Sequence, residues 1–355
     1  MRFDLTDEQK QLQANLDALF RAAVDLNRLA VADAEEIAKL RAALDVKLAH
    51  MGVQAILADE AEGGLGLGLL TLVAAAETTA NHAAPTSAIN NALAAWLIAV
   101  SGTQQQKKRW LDPVLSGRAK AAFAIDDGDG WDTPTTAPAQ TVTCRKYYVE
   151  GCADADFYIV AAAQGGFGLV LAGQNVEIST PPPLDQTRPT STLTFTNAAF
   201  EPLDVNADVR QRLYQAQCVL LAADAYGAGA RALDLSVEYA KTRVQFGRPI
   251  GANQALKHQL ANMCVDFAPS RFLAWYAAHA WDAIPEHAAR AAVLAKAHTP
   301  SAAVTLARAA VETHGAIGYT WEYPLHLFLK RAMYDQAAWG SAALHRARAA
   351  ALANW

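Results

Sequence analysis

Residues 121–205 read as strands and turns while both flanks read as helices, and that order limits the folds open to this chain. In the middle segment Val142, Cys144, Tyr147, Val149, Phe157, Ile159, Leu169 and Leu171 fall in short runs bounded by glycine, asparagine and aspartate. Pro181, Pro182 and Pro183 exclude a helix, and Thr192 to Thr196 alternates polar and apolar residues. Ahead of this segment, Thr6 followed by Glu8 and Gln9 marks a capped helix start. Leu12, Leu16 and Leu19 then recur at helical spacing, with Phe20 widening the same face. Behind it, Val219, Ala223, Tyr226, Ala230, Leu233, Val237 and Ala240 recur at alternating intervals of four and three, the seam of a bundle. Gly227 and Gly229 cost that helix propensity, which makes sense where a second helix packs closely. The expected class is α+β, mainly α. It comprises a helical domain over 1–120, a small β-barrel or sandwich domain over 121–206, and a C-terminal four-helix bundle domain over 207–355.

Bulk properties exclude several kinds of partner. With 355 residues, 52% hydrophobic and only 18% charged, the chain can bury a large core in two or three packed units. A net charge of -5 and the lack of a lysine–arginine cluster argue against nucleic acid, whose phosphates require a basic face. The alanine-rich apolar stretches are interrupted by charge or proline, so none reads as a membrane span. The opening residues lack the basic and apolar regions of a signal peptide. Cys144, Cys152, Cys218 and Cys264 are scattered without a CxxC pair, a usage that suits a reducing compartment, and the expected location is the cytoplasm.

Candidate sites are sparse. Gly63, Gly64, Gly66 and Gly68 form a glycine run, but no strand precedes it and no lysine follows, so it reads as a surface loop. Asp126, Asp127, Asp129 and Asp132 suggest a calcium loop until the spacing is checked. Trp131 takes a ligand position and Pro138 falls where the bidentate glutamate belongs, so the expectation is a solvated loop. His258, His326 and His345 show no metal-ligand spacing, and no metal is expected.

The most informative stretch runs from Tyr239 to Gln254 (YAKTRVQFGRPIGANQ). Arg243 stands at the end of a long helix, followed by a turn through Phe246, Gly247 and Pro249. A guanidinium there can donate two parallel hydrogen bonds to a phosphate, or simply complement the negative helix end. The whole run resembles the signature of the acyl-CoA dehydrogenase family, in which this arginine and phenylalanine reach the FAD of a neighbouring subunit. The run from His314 to Arg331 (HGAIGYTWEYPLHLFLKR) resembles members that work as heterotetramers of two related subunits, many in steroid side-chain degradation. The similarity extends over nearly the whole chain, in the same order of helical, β and helical segments.

The resemblance implies α,β-dehydrogenation of an acyl-CoA thioester, with FAD as cofactor and an electron-transfer flavoprotein or similar acceptor. A glutamate takes the Cα proton in that reaction, since an amide or indole cannot accept it. Both family positions for this base lack a carboxylate here. Gln217 occupies one and Trp339, next to Gly340, the other. Asp224 and Asp335 lie nearby, Asp224 off the bundle seam and Asp335 placed to balance Arg331 one turn earlier. The Thr-Glu-Pro-like flavin loop is replaced by the aspartates from Asp126, each able to oppose a pyrophosphate by about 4 kcal/mol at about 4 Å and an effective dielectric near ~20. The tryptophan-bearing flavin segment is also missing, with Glu150 to Tyr158 in its place.

By resemblance, what remains is the half of an FAD site that one subunit lends another: Arg243, Phe246, Asn253, Gln254, Glu312, His314, Gly315 and Ala316. Glu312 and Ala316 depart from the family's glutamine and glycine. His314 reads either as a cofactor contact or as a buried hydrogen-bonded histidine. The resulting expectation is a subunit with no catalytic residue, paired with a second acyl-CoA dehydrogenase-like subunit that carries the glutamate. The alternatives are a self-sufficient homo-oligomer with a relocated base, and a flavin-free scaffold or binding protein.

Overall fold

The capped start at Thr6 is present in the computed structural model of the chain, which describes residues 3–128, 140–162, 166–173 and 175–353. The Thr6 hydroxyl accepts from the Gln9 N–H at 3.3 Å, and the Gln9 side chain accepts from the Thr6 N–H at 2.9 Å. Each bond satisfies a backbone donor left open at the helix start. Helix α1 (Asp7–Ala23) then buries Leu16 and Phe20, with Leu12 and Leu19 half-buried beside them.

The chain divides into two compact units, each assembled from non-contiguous segments. One comprises Ala38–Leu72 and Pro85–Gln217, the other Met1–Ile37, Val73–Ala84 and Cys218–Trp355. Short helix α2 (Leu26–Val31) follows α1, while α3 (Ala34–His50) and α4 (Gly68–Asn81) each run across a division between the units.

In the first-mentioned unit, α5 (Ala88–Ser101) is buried over most of its length, and α6 (Gln104–Gln106) passes through a π turn into α7 (Asp112–Leu115). The glycine run folds back on the turn before it: Leu65 and Gly66 donate to the Ala55 and Ala58 carbonyls. A Cβ on Gly64 would stand 2.0 Å from the Ala58 oxygen, so the close backbone approach explains the glycine. The β region holds two sheets. One has the order β1 (Ala121–Ala124), β3 (Phe157–Ala161), β4 (Phe167–Leu171), β7 (Glu201–Leu203). The other has the order β2 (Thr141–Glu150), β6 (Thr190–Ala199), β5 (Val176–Ser179). Val142, Val149, Leu193 and Phe195 from one sheet share a core with Ala122, Tyr158, Val160 and Val170 from the other. That is the expected sandwich-like β domain, with Pro181 to Pro183 outside any helix or strand.

The other unit is a helical bundle. It contains the part of α8 (Ala207–Thr242) from Cys218 onward, then α9 (Gln254–Phe267), α10 (Pro269–Ala283), α11 (Pro285–His314), α12 (Leu325–Ala337) and α13 (Ala342–Ala351). The seam of α8 follows the expected residues only in part. Of the expected seam Val219, Ala223 and Ala240 are buried, but Tyr226, Ala230, Leu233 and Val237 are only half-buried, and a fully buried line runs through Cys218, Ala222, Ala225, Ala228, Ala232 and Ser236. Small residues win the centre because backbones approach there. A Cβ on Gly227 would lie 2.1 Å from the Glu77 carbonyl oxygen, and one on Gly229 would lie 2.4 Å from the Phe267 ring. The two glycines thus mark close helix packing, as their propensity cost implied.

Among the described residues no helix is long and apolar enough to cross a membrane.

Candidate functional site

At the end of α8 the Arg243 N–H still donates to the Tyr239 carbonyl at 2.8 Å, prolonging the helical pattern by one residue. The chain then reverses in a two-stranded ribbon, β8 (Val244–Gln245) against β9 (Arg248–Pro249). Its central residues Phe246 and Gly247 have φ of 53° and 80°, the pair of positive angles a type I′ turn demands. Glycine adopts this freely and phenylalanine does not, so Phe246 is held by the ribbon in a conformation it disfavours. Its side chain is 100% exposed. The Arg243 guanidinium is exposed as well and makes no hydrogen bond or ion pair among the described residues.

Asn253 is exposed where α9 begins, but it does not cap the helix with its side chain. Its Oδ1 accepts from Arg248 Nη2 at 2.8 Å. Gln254, the first residue of α9, is exposed. Gly251 seats this corner on α8, since a Cβ there would lie 2.8 Å from the Ala240 oxygen.

The remaining predicted residues close α11. Glu312, Gly315 and Ala316 are exposed, and Gly315 has φ 64° and ψ -140°, a conformation reserved for glycine. His314 is only 3% exposed, its ring 4.5 Å from that of Tyr239 and 4.7 Å from that of Tyr323. Burial lowers its affinity for a proton against the opposing pull of nearby backbone carbonyls. The structure therefore joins the ends of α8 and α11 through Tyr239 and His314, with Arg243 one turn beyond Tyr239.

At the positions for a base, Gln217 is 7% exposed, and its Oε1 has no hydrogen-bond partner among the described residues. Trp339 is buried with φ 57°. Two side chains grip its turn. Lys296 Nζ donates to the Gly340 carbonyl at 3.1 Å and the Gln336 carbonyl at 3.3 Å, and His345 Nε2 donates to the Trp339 carbonyl at 3.0 Å. Burial pushes Lys296 down to about 8 despite the nearby Cys218 and Asp335. Burial and then the Lys296 charge push His345 down to about 4.

The acids are more engaged than their spacing indicates. Asp224 on α8 pairs with Arg331, whose Nε and Nη2 meet the two Asp224 oxygens at 2.7 Å each. The aspartate loop is not simply solvated. Asp126 is 5% exposed and its Oδ1 accepts from the Gly128 N–H at 2.7 Å. Asp127 pairs at 2.7 Å with Lys146, whose side chain is 0% exposed. A buried ammonium needs a counter-charge, and Asp127 supplies it, which also removes most of its repulsion toward an outside anion. Asp129, Asp132, Trp131 and Pro138 lie outside the described residues.

Sequence reasoning passed over Lys296, Lys146 and Glu77. Glu77 accepts from Trp275 Nε1 at 2.7 Å, Arg271 Nε at 3.1 Å and Gln13 Nε2 at 3.4 Å, and burial raises its pKa to about 7. The available signal was a lone charge inside an alanine-rich helix, as in Ala295-Lys296-Ala297 and Ala76-Glu77-Thr78. Among the described residues no three His, Cys, Asp or Glu side chains converge as a metal site.

Comparison with known proteins places this geometry in context. The acyl-CoA dehydrogenase N-terminal domain model matches residues 6–118 and the C-terminal domain model residues 210–353. Acyl-CoA dehydrogenase IpdE2 of Mycobacterium tuberculosis is 47% identical over 114 residues, 32% of this chain and 34% of that protein. The match thus spans about a third of that relative. Among solved structures, the ChsE4–ChsE5 complex from Mycobacterium tuberculosis superposes with a TM-score of 0.87 at 24% identity, over 99% of this chain and 98% of that one. A variant of the Tcur3481–Tcur3483 steroid ACAD superposes at 0.86 and 24%, over 98% and 97%. At that identity these two likenesses establish the fold.

Proposed function

The chain belongs to the acyl-CoA dehydrogenase family, whose members are FAD-dependent flavoproteins, and from that premise we propose that it is a non-catalytic subunit of a heteromeric enzyme. The reaction is α,β-dehydrogenation of an acyl-CoA thioester, and this chain lends part of an FAD site to a partner that carries the glutamate. Phe246 is the observation that carries the reading. A phenylalanine held at 100% exposure in a disfavoured backbone conformation, beside an arginine with no carboxylate partner among the described residues, suits contact with another molecule better than stability of this one.

FAD, when bound, supplies the hydride acceptor of the family reaction. The residues present fit one end of it. The exposed Arg243 guanidinium can bind a pyrophosphate through two parallel N–H bonds, and Phe246 adds an apolar face. At the turn after α11 the Gly315 N–H is already taken by the Glu312 and Val311 carbonyls, and the exposed Glu312 carboxylate is unfavourable to an anion, so Arg243 carries the anion contact. On the reaction side, the Gln217 amide and the Trp339 indole cannot take a Cα proton. Asp224, the natural relocated base, has both oxygens engaged by Arg331, which disfavours the self-sufficient alternative.

A bulky or steroid CoA thioester is the proposed substrate class. It rests on the resemblance of the run from His314 to Arg331 and on the fold shared with a steroid ACAD. Co-expression with an adjacent family member that carries the glutamate tests the assembly. A stable, yellow homotetramer of this chain alone, oxidising acyl-CoA with an electron-transfer dye, would falsify it. Turnover of the purified complex on straight-chain and steroid thioesters tests the substrate, and a preference for short straight chains removes the steroid reading.

A further inference from the structure

We infer that His314 is a positioning residue for the lent FAD half-site, holding the ends of α8 and α11 together, and not itself a ligand of the cofactor. The inference rests on the reading that Arg243 and the turn after α11 serve an FAD. His314 Nδ1 lies 2.7 Å from the Ala310 carbonyl, which can only accept, so Nδ1 carries the proton and Nε2 keeps a lone pair. Nε2 is buried without a hydrogen bond of good geometry among the described residues, with the Leu235 carbonyl near the ring as well. A lone pair so placed cannot reach a molecule outside the fold.

The ring is engaged on its faces and edge instead. The centroids of Tyr239, His314 and Tyr323 form a triangle with sides of 4.5, 4.7 and 6.1 Å. Tyr239 belongs to α8, and its carbonyl accepts from the Arg243 N–H at 2.8 Å. Tyr323 belongs to the segment leading into α12. Gly318 completes the contact, since a Cβ there would meet the Val311 oxygen at 2.9 Å and the His314 Cβ at 3.1 Å. The turn Gly315–Tyr319 therefore folds back on the last turn of α11, and His314 is the side chain from which it departs. Between the two predicted parts of the half-site, this imidazole is the link.

Two isosteric substitutions separate positioning from ligation. The amide of asparagine can place a donor where Nδ1 stands, whereas that of glutamine places its polar atoms where Nε2 stands. Two readouts apply: backbone hydrogen exchange of Gly315–Tyr319 in the chain alone, and FAD per protein in the complex co-purified with the partner subunit. We expect His314→Gln to speed exchange about tenfold or more in that turn and to deplete FAD, with His314→Asn, which keeps the donor to Ala310 but loses the ring, intermediate in both. Tyr239→Leu, which removes the ring contact and leaves the histidine, is expected to behave like His314→Gln. Should His314→Asn not fold, the comparison of Tyr239→Leu with His314→Gln still decides. The opposite pattern, FAD kept by His314→Gln and lost by His314→Asn, makes His314 a ligand and overturns the inference. Unchanged exchange in both His314→Gln and Tyr239→Leu overturns it too. Arg243→Ala serves as the control: if that variant keeps its FAD the lending model itself fails, whereas the exchange result bears on His314 alone.

Discussion

Arg331 and Asp224 meet through two parallel hydrogen bonds of 2.7 Å, joining α12 to α8 inside the bundle with side chains only 4% and 13% exposed. The fork of the guanidinium matches both carboxylate oxygens and fixes the carboxylate in the bundle. Asp224 is thus part of the scaffold, and its position two turns after Gln217 has a structural explanation.

Breaking this pair is expected to be costly in stability without abolishing chemistry. Asp224→Asn leaves the Arg331 charge buried and is expected to cost about 3 to 5 kcal/mol in denaturant unfolding. Replacing both residues by apolar ones of similar volume is expected to recover most of that loss. Turnover of the complex, measured below the melting transition, is expected to persist in Asp224→Asn. Its disappearance with the fold intact would restore Asp224 as the base.

Arg243→Ala is expected to leave the melting temperature nearly unchanged and to weaken FAD retention about ten- to a hundredfold. That range corresponds to the roughly 1.5 to 3 kcal/mol of a lost charge-assisted hydrogen bond. Arg243→Lys keeps charge without the planar fork and is expected to recover part of the loss. Flavin-to-protein ratios of the purified complexes measure both. Full occupancy in Arg243→Ala contradicts site lending and leaves the arginine as a helix-end charge.

Lys296 makes stability depend on pH in the alkaline range. Its folded pKa is lowered to about 8 from 10.5, so between those values the unfolded chain binds more protons than the folded one. Stability therefore rises as pH rises through that window, by up to about 1.4 kcal/mol per unit. Lys296→Met is expected to remove this rise relative to wild type in urea titrations at pH 8 and pH 10. Parallel pH profiles for the two proteins would show that the buried amine is not titrating as described.

Glu77 acts in the opposite sense. Its folded pKa is raised to about 7 from 4.5, so the folded chain binds more protons across that interval and stability falls as pH rises through it. Glu77→Gln keeps an acceptor for Trp275 and Arg271 while removing the titration. The variant is expected to show a flatter stability profile between pH 4.5 and 7 in thermal melts, and an unaltered slope would refute the assignment.

The sequence alone determined the order of helical and β segments, the capped start at Thr6, the turn after Arg243 and the membership in a family, because each is local. A cap, a proline or a two-residue turn depends on neighbours within a few positions. The loss of carboxylates at the base positions was legible for the same reason, as residue identity needs no fold. Only the tertiary structure decided which charges pair. Arg331 pairs with Asp224 on α8, 107 residues away in sequence, and Asp127 is neutralised by Lys146 on β2. Along α8, Ala225, Ala228 and Ala232 are likewise buried more fully than Tyr226, Leu233 and Val237, because the approach of a neighbouring backbone sets burial there. Ion pairing and close packing depend on distances between residues remote in sequence, and burial makes an unpaired charge too costly to stay where local spacing alone would put it.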